Sequence, residues 1–143
     1  SEVAGMTGEY QHSIDTKGRL FIPASLREEL GDTIYVTISI ERALAAYSEE
    51  TWREKEEKFN ALPSAQARRI RPLFVNAAKC TLDAQGRILL PQKLRGYAGL
   101  KKDVMVLGVS NHAEIWDKDA WAAVSEIEMD PASLEAAVDE LNF

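Results

Sequence analysis

The segment DTKGRLFIP, residues 15–23, returns as DAQGRILLP, residues 83–91. At the constant offset that carries Asp15 onto Asp83, Gly18 meets Gly86, Arg19 meets Arg87 and Pro23 meets Pro91. Leu26, Arg27 and Gly31 then meet Leu94, Arg95 and Gly99. Ordinary residue frequencies would give roughly one identity over such a window. Apolar matches extend the likeness: Ile14 with Leu82, Leu20 with Ile88, Ile22 with Leu90. After one inserted residue, Tyr47 aligns with Trp116 and Trp52 with Trp121. The chain is therefore an internal duplication. Two copies fall short of the roughly three repeats that a solenoid needs. The duplication predicts two half-folds that complete each other around a pseudo-two-fold axis.

Each copy can be read from its turn outward. Asp-x-x-Gly is the pattern of a type I turn, in which the Asp carboxylate accepts from backbone amides within the turn. The Gly supplies the positive φ of a three-residue hairpin loop with a bulge. Asp15–Gly18 and Asp83–Gly86 are thus predicted hairpin tips, with Arg19 and Arg87 opening the outgoing strands. EYQHSI precedes the first tip and RLFI follows it, ending at Pro23, a residue suited to a strand end or a first helical turn. ASLREEL and QKLRGYAGL read as short helices stopped at Gly31 and Gly99. DTIYVTISI (32–40) and DVMVLGVS (103–110) are rich in strand-forming residues. ALAAYS (43–48) and HAEIWD (112–117) are predicted final strands that carry Tyr47 and Trp116 into the core. One copy alone would leave edges unpaired and a core face uncovered.

The copies occupy residues 9–51 and 80–123, with a helical linker at 52–79 and a helical tail at 124–143, all in one compact fold. Ser48 with Glu49 and Glu50 is a helix start, and Trp52 and Phe59 mark an amphipathic face. Pro63 restarts a second helix, in which Pro72 predicts a kink or break. Asp117 is a candidate cap for the helix that follows, and Pro131 opens the last one. The acidic face of that last helix is expected to be solvated.

Composition excludes more than it assigns. No apolar run approaches the ~18 residues of a membrane span, and the first ten residues show no signal peptide. Met6 is a candidate natural start, with Ser1–Gly5 then foreign to the natural protein. Cys80 is the one cysteine, so no internal disulfide forms; a cytoplasmic location is expected. His12, His112 and Cys80 lack metal-ligand spacing, and no phosphate loop, nucleophile elbow or zinc-protease signature is present. The expectation is a protein that is not an enzyme, with no cofactor, metal or small-molecule substrate.

With these residues in view, GEYQHSIDTKGRLFIP, DAQGRILLP, LRGYAGL and VMVLGVSNHAEIW resemble the MraZ family, from about Gly8 to Trp121. One such tip occurs in many SpoVT/AbrB-like proteins; two in one chain, with a helical insert, are specific. The resemblance implies an α+β fold, a double-split β-barrel of two duplicated AbrB-like halves. It implies a bacterial, nucleoid-associated transcriptional regulator that binds short direct repeats of double-stranded DNA in the promoter of its own division and cell-wall operon. It also implies a ring-shaped homo-oligomer. The family's D-x-x-x-R motif, linked to DNA, falls on Asp15 and Arg19 and on Asp83 and Arg87. Lys17 fills the basic position of the first tip, whereas Gln85 stands there in the second, so unequal contributions are expected, with the first tip favoured. The candidate DNA-binding residues are Lys17, Arg19, Gln85 and Arg87; Asp15, Gly18, Asp83 and Gly86 support the turns.

Arginine's planar fork fits phosphate oxygens or the guanine edge, and lysine adds a compact charge for phosphate. The net charge of −6 argues against such binding until it is resolved locally. Acid concentrates in the linker (Glu49, Glu50, Glu54, Glu56, Glu57) and in the tail (Glu126, Glu128, Glu135, Asp139, Glu140). Salt screens charge beyond ~10 Å, so a basic face can coexist with both. For Arg27 and Arg95, DNA contact and a solvated helix face stand as equal alternatives. Arg68, Arg69 and Arg71 are read first as a subunit contact or salt-bridged face. Trp52 and Trp121 are read as core or interface anchors. The rival to a DNA-binding regulator is a structural or protein-interaction ring whose tips only stabilise the barrel.

Overall fold

The computed structural model describes residues 5–143; the readings that touch Ser1–Ala4 lie outside the described residues. The first copy comprises β1 (Glu9–Ser13), β2 (Arg19–Phe21), α1 (Ala24–Leu30), β3 (Thr33–Ile38) and β4 (Leu44–Ser48). Helices α2 (Glu49–Asn60) and α3 (Ser64–Val75) follow. The second copy repeats the pattern as β5 (Ala78–Thr81), β6 (Arg87–Leu89), α4 (Gln92–Tyr97), β7 (Asp103–Val109) and β8 (His112–Asp117). Helices α5 (Lys118–Glu128) and α6 (Pro131–Glu140) close the described chain. The fold is α+β and its strand pairs are antiparallel.

The copies exchange strands. The six-stranded sheet runs β1-β7-β8-β4-β3-β5, and β2 pairs with β6 in a separate ribbon. Strand β1 therefore lies on β7 of the other copy, and β5 lies on β3. The register shows the symmetry directly. In the ribbon Leu20 faces Ile88, its own repeat equivalent, while Arg19 faces Leu89 and Phe21 faces Arg87. In the sheet Ala45 faces Glu114, with Leu44 opposite Ile115 and Ala46 opposite Ala113. Both pairs lie on the pseudo-two-fold axis. This is the interleaving that a double-split barrel of duplicated AbrB-like halves requires.

Period-2 alternation sends Ile34 and Val36, Leu44 and Ala46, Val104 and Val106, and Ala113 and Ile115 into one core. Leu20, Ile22, Ile88 and Leu90 from the ribbon, and Leu26, Leu30 and Leu94 from α1 and α4, complete it. Each such side chain contributes about 1.5–3 kcal/mol on burial. Gly31, at φ 77°, ends α1 and donates its amide to the Arg27 carbonyl.

Two expectations need correction. Tyr47 does not enter this core, and Trp116 belongs to a separate apolar cluster with Ala43 and Leu107. Strand alternation puts both aromatics on the sheet's outer face, where each anchors the helix that follows. Tyr47 packs on Trp52 at 5.9 Å and Trp116 on Trp121 at 5.2 Å. Tyr35 stacks on Trp52 at 5.4 Å, and Phe74 brings α3 onto the same cluster at 5.0 Å. The second concerns Pro72: of the kink or break expected there, the break does not occur, and helix α3 continues to Val75. Pro72 lies in the last turn, so little helix remains beyond it, and Asn76 caps the Pro72 carbonyl from both its backbone and side-chain nitrogens.

The extra length of the second copy lies between Gly99 and β7, where three residues replace the one between Gly31 and β3, and the hairpin that follows is one residue shorter. Ser39 and Ala43 bracket Ile40–Arg42, whereas Val109 pairs with His112 across Ser110 and Asn111 alone. Both loops need a left-handed residue, Arg42 at φ 60° and Ser110 at φ 62°. Among the described residues no helix is long and apolar enough to cross a membrane.

Candidate nucleic-acid interface

Each tip is built as its four-residue pattern dictates. The Gly18 amide donates to the Asp15 carbonyl at 3.0 Å, and the Asp15 amide donates to the Arg19 carbonyl at 3.0 Å. Asp15 Oδ1 accepts from the amides of Lys17 and Arg19 at 3.0 and 2.9 Å. Its Oδ2 accepts from Arg19 Nε at 2.6 Å. The second tip repeats these bonds: Asp83 Oδ1 accepts from Gln85 and Arg87 at 2.9 Å each, and Oδ2 accepts from Arg87 Nε at 2.8 Å. Backbone amides and then the arginine side chain hold both carboxyls below the usual carboxylate range, despite opposing desolvation. Both aspartates are therefore charged at neutral pH and fix the arginines by their Nε edge.

Strand exchange brings the tips together. The Gly18 carbonyl accepts from Leu90 and the Gly86 carbonyl from Ile22, each at 2.9 Å, so the ribbon continues into the opposing turns. Arg87 Nη1 stands 3.8 Å from Asp15 Oδ2. Gly18 and Gly86 are buried, at φ 86° and 80°. A Cβ on Gly18 would lie 3.0 Å from the Arg95 guanidinium, and one on Gly86 would overlap that of Arg27. Glycine is thus required by backbone conformation, and a Cβ at either position would also push a neighbouring guanidinium aside.

The four sequence-predicted contact residues, Lys17, Arg19, Gln85 and Arg87, lie on these adjoining tips. Arg27 and Arg95 resolve in part: each guanidinium lies against the opposite copy's tip, so six of the motif-region side chains share one end of the barrel. Arg95 Nε donates to the Leu90 carbonyl at 3.0 Å, and Arg27 sits over the Phe21 ring at 5.0 Å. Their recurrence as Leu26-Arg27 and Leu94-Arg95 was the available signal; the cross-copy approach was invisible in sequence. Arg68, Arg69 and Arg71 lie on α3, outside the tip cluster.

A pair of interleaved halves that presents two aspartate-anchored arginine turns side by side defines a duplicated double-split barrel protein. A family model described as "MraZ protein, putative antitoxin-like" matches residues 6–71 and 73–141. The Transcriptional regulator MraZ of Acetivibrio thermocellus is 47% identical over 121 residues, covering 82% of this chain and 85% of that protein. Those of Desulforamulus reducens and Moorella thermoacetica are 49% and 50% identical over 117 residues, each covering 80% of this chain and 82% of the relative. The chain belongs to the MraZ family.

Proposed function

We propose that this protein is a transcriptional regulator that grips double-stranded DNA with its paired tips. In this reading it acts in the cytoplasm on the nucleoid, as a ring-shaped homo-oligomer on short direct repeats upstream of its own division and cell-wall operon. The observation that carries the reading is the convergence of Arg19, Arg87, Arg27, Arg95 and Lys17 on one end of the barrel, on buttressed turns. Fixed guanidinium groups lose little side-chain freedom when they meet phosphate or a base edge. The relatives' name, transcriptional regulator, agrees with this chemistry. A single chain offers few phosphate contacts; repetition around a ring multiplies them through effective concentration.

One observation favours the rival, a structural ring without sequence-specific binding: both arginines already have carboxylate partners in their own hairpins. Gel shifts on the protein's own upstream DNA against a scrambled duplex, repeated across salt concentrations, decide between them. Selective binding is expected, and Arg19→Ala should abolish it while thermal unfolding and oligomer size stay close to wild type. Equal binding of both duplexes at physiological salt would establish the rival.

A further inference from the structure

We infer that the two tips divide the work on DNA: the Lys17–Arg19 tip holds phosphate, and the Gln85–Arg87 tip discriminates between sequences, with Gln85 the specificity-determining residue. This rests on the DNA-binding reading above.

The tips share a backbone and differ in what they present. Lys17 is exposed, and among the described residues its ammonium has no partner. A lysine charge attracts phosphate without regard to sequence and releases counterions. Arg19 is held through Nε alone, so among the described residues both Nη groups of its fork are unpartnered. Gln85 brings no charge. Its Oε1 accepts from Arg87 Nη2 at 3.0 Å, which leaves the Nε2 donors for an outside acceptor. Arg87 is therefore pinned at each nitrogen: Nε by Asp83, Nη2 by Gln85, and Nη1 by the nearby Asp15 charge. A carboxamide beside an oriented guanidinium is base-edge chemistry, suited to adenine or guanine in the major groove.

The packing behind the tips is unequal in the same sense. Phe21 faces Arg87 across the ribbon, approaches the Gly86 position to 3.3 Å, and lies beneath Arg27. At the equivalent place behind Arg19 stands Leu89, which is 59% exposed. Each tip thus has a guanidinium of the opposite copy against its glycine, but the second is backed by an aromatic ring and the first by an exposed aliphatic chain. Base discrimination needs a fixed reader, because a loosely held group adapts to the wrong base; phosphate contact tolerates freedom.

The test measures equilibrium binding of the full chain to a duplex from its own upstream region and to a scrambled duplex, over a salt series. Lys17→Gln should weaken both duplexes by similar factors and reduce the salt slope by about one per engaged tip, with their ratio unchanged. Gln85→Ala should leave the slope unchanged and cut the ratio by roughly 5- to 100-fold. Gln85→Lys should steepen the slope, tighten scrambled-DNA binding and lower the ratio. Both positions are exposed, and matching thermal melts confirm that the variants fold. A wild-type preference that survives Gln85→Ala within twofold overturns this inference alone. Absence of any wild-type preference overturns the DNA reading and this inference together.

Discussion

Arg87 of the second tip points its Nη1 at Asp15 of the first, 3.8 Å away, so one carboxylate serves two guanidinium groups from opposite copies. Asp15→Asn keeps the oxygen that receives the Lys17 and Arg19 amides but deletes the charge both arginines face. Neutral-pH melting should change little, because the groups are about a third exposed and solvent screens them. Whatever difference there is should be present at neutral pH and vanish in acid. The depressed carboxyl of Asp15 adds stability above its ordinary pKa of about 4, lost as pH falls through its lower folded value. The variant's melting temperature should therefore fall less steeply in acid than wild type. Its DNA binding should become less selective and more salt-dependent.

Gly86 and Gly31 separate strain from collision. Both have positive φ, but nothing lies within 4 Å of a Cβ at Gly31, whereas one at Gly86 overlaps Arg27. Gly31→Ala should cost about 1–2 kcal/mol from backbone conformation alone. Gly86→Ala should cost a similar amount in urea unfolding, since the Arg27 guanidinium can swing aside, but that displacement should weaken DNA binding.

Leu20 and Ile88 meet on the pseudo-two-fold axis at 0% and 1% exposure. Leu20→Ala or Ile88→Ala should each lower unfolding free energy by about 2–5 kcal/mol. The double variant should depart from additivity, since truncating both paired side chains opens one shared cavity.

Cys80 is buried, and burial pushes its thiol up to about 11. At pH 7–8 it should resist thiol reagents until the chain unfolds. The unfolded thiol ionises near pH 8.5, so the native state retains a proton that the unfolded state loses. This contribution to stability is complete below that pH and should decline between about 8.5 and 11. Cys80→Ser should remove the thiol's part of that alkaline decline.

Asp117 and Ser48 are the equivalent caps of α5 and α2. Ser48→Ala should cost about 1 kcal/mol in chemical denaturation. Asp117 caps Ala120 and also receives the Lys101 amide and ammonium, at 3.2–3.3 Å. Asp117→Ala should therefore cost more, about 1–2 kcal/mol.

The strands, tips and caps were legible because local chemistry decides them: the Asp-x-x-Gly turns, the β-branched runs, and Ser48 and Asp117 before their helices. The duplication also announced the axis. What escaped was set by pairs distant in sequence. Nothing in DTIYVTISI or ALAAYS says which sheet face will be covered by α2, so local pattern alone sends Tyr47 inside, whereas strand alternation against the core puts it outside. Pro72 signals a break by local rules, yet its place in a final helical turn lets α3 continue. At the site, the motif identified the arginines and their carboxylates, while the approaches of Arg87 to Asp15 and of Arg27 to Gly86 arise only once strands are exchanged.

That exchange carries a consequence for how such a molecule can vary. A dimer of identical single modules would show the same residue at both turns, and any substitution would strike twice. Here β1 and β5 cross between two covalently joined modules, so the barrel keeps its symmetry while each turn is written separately. Lysine at 17 and glutamine at 85 are two letters that a homodimeric ancestor of this design could not have spelled at once.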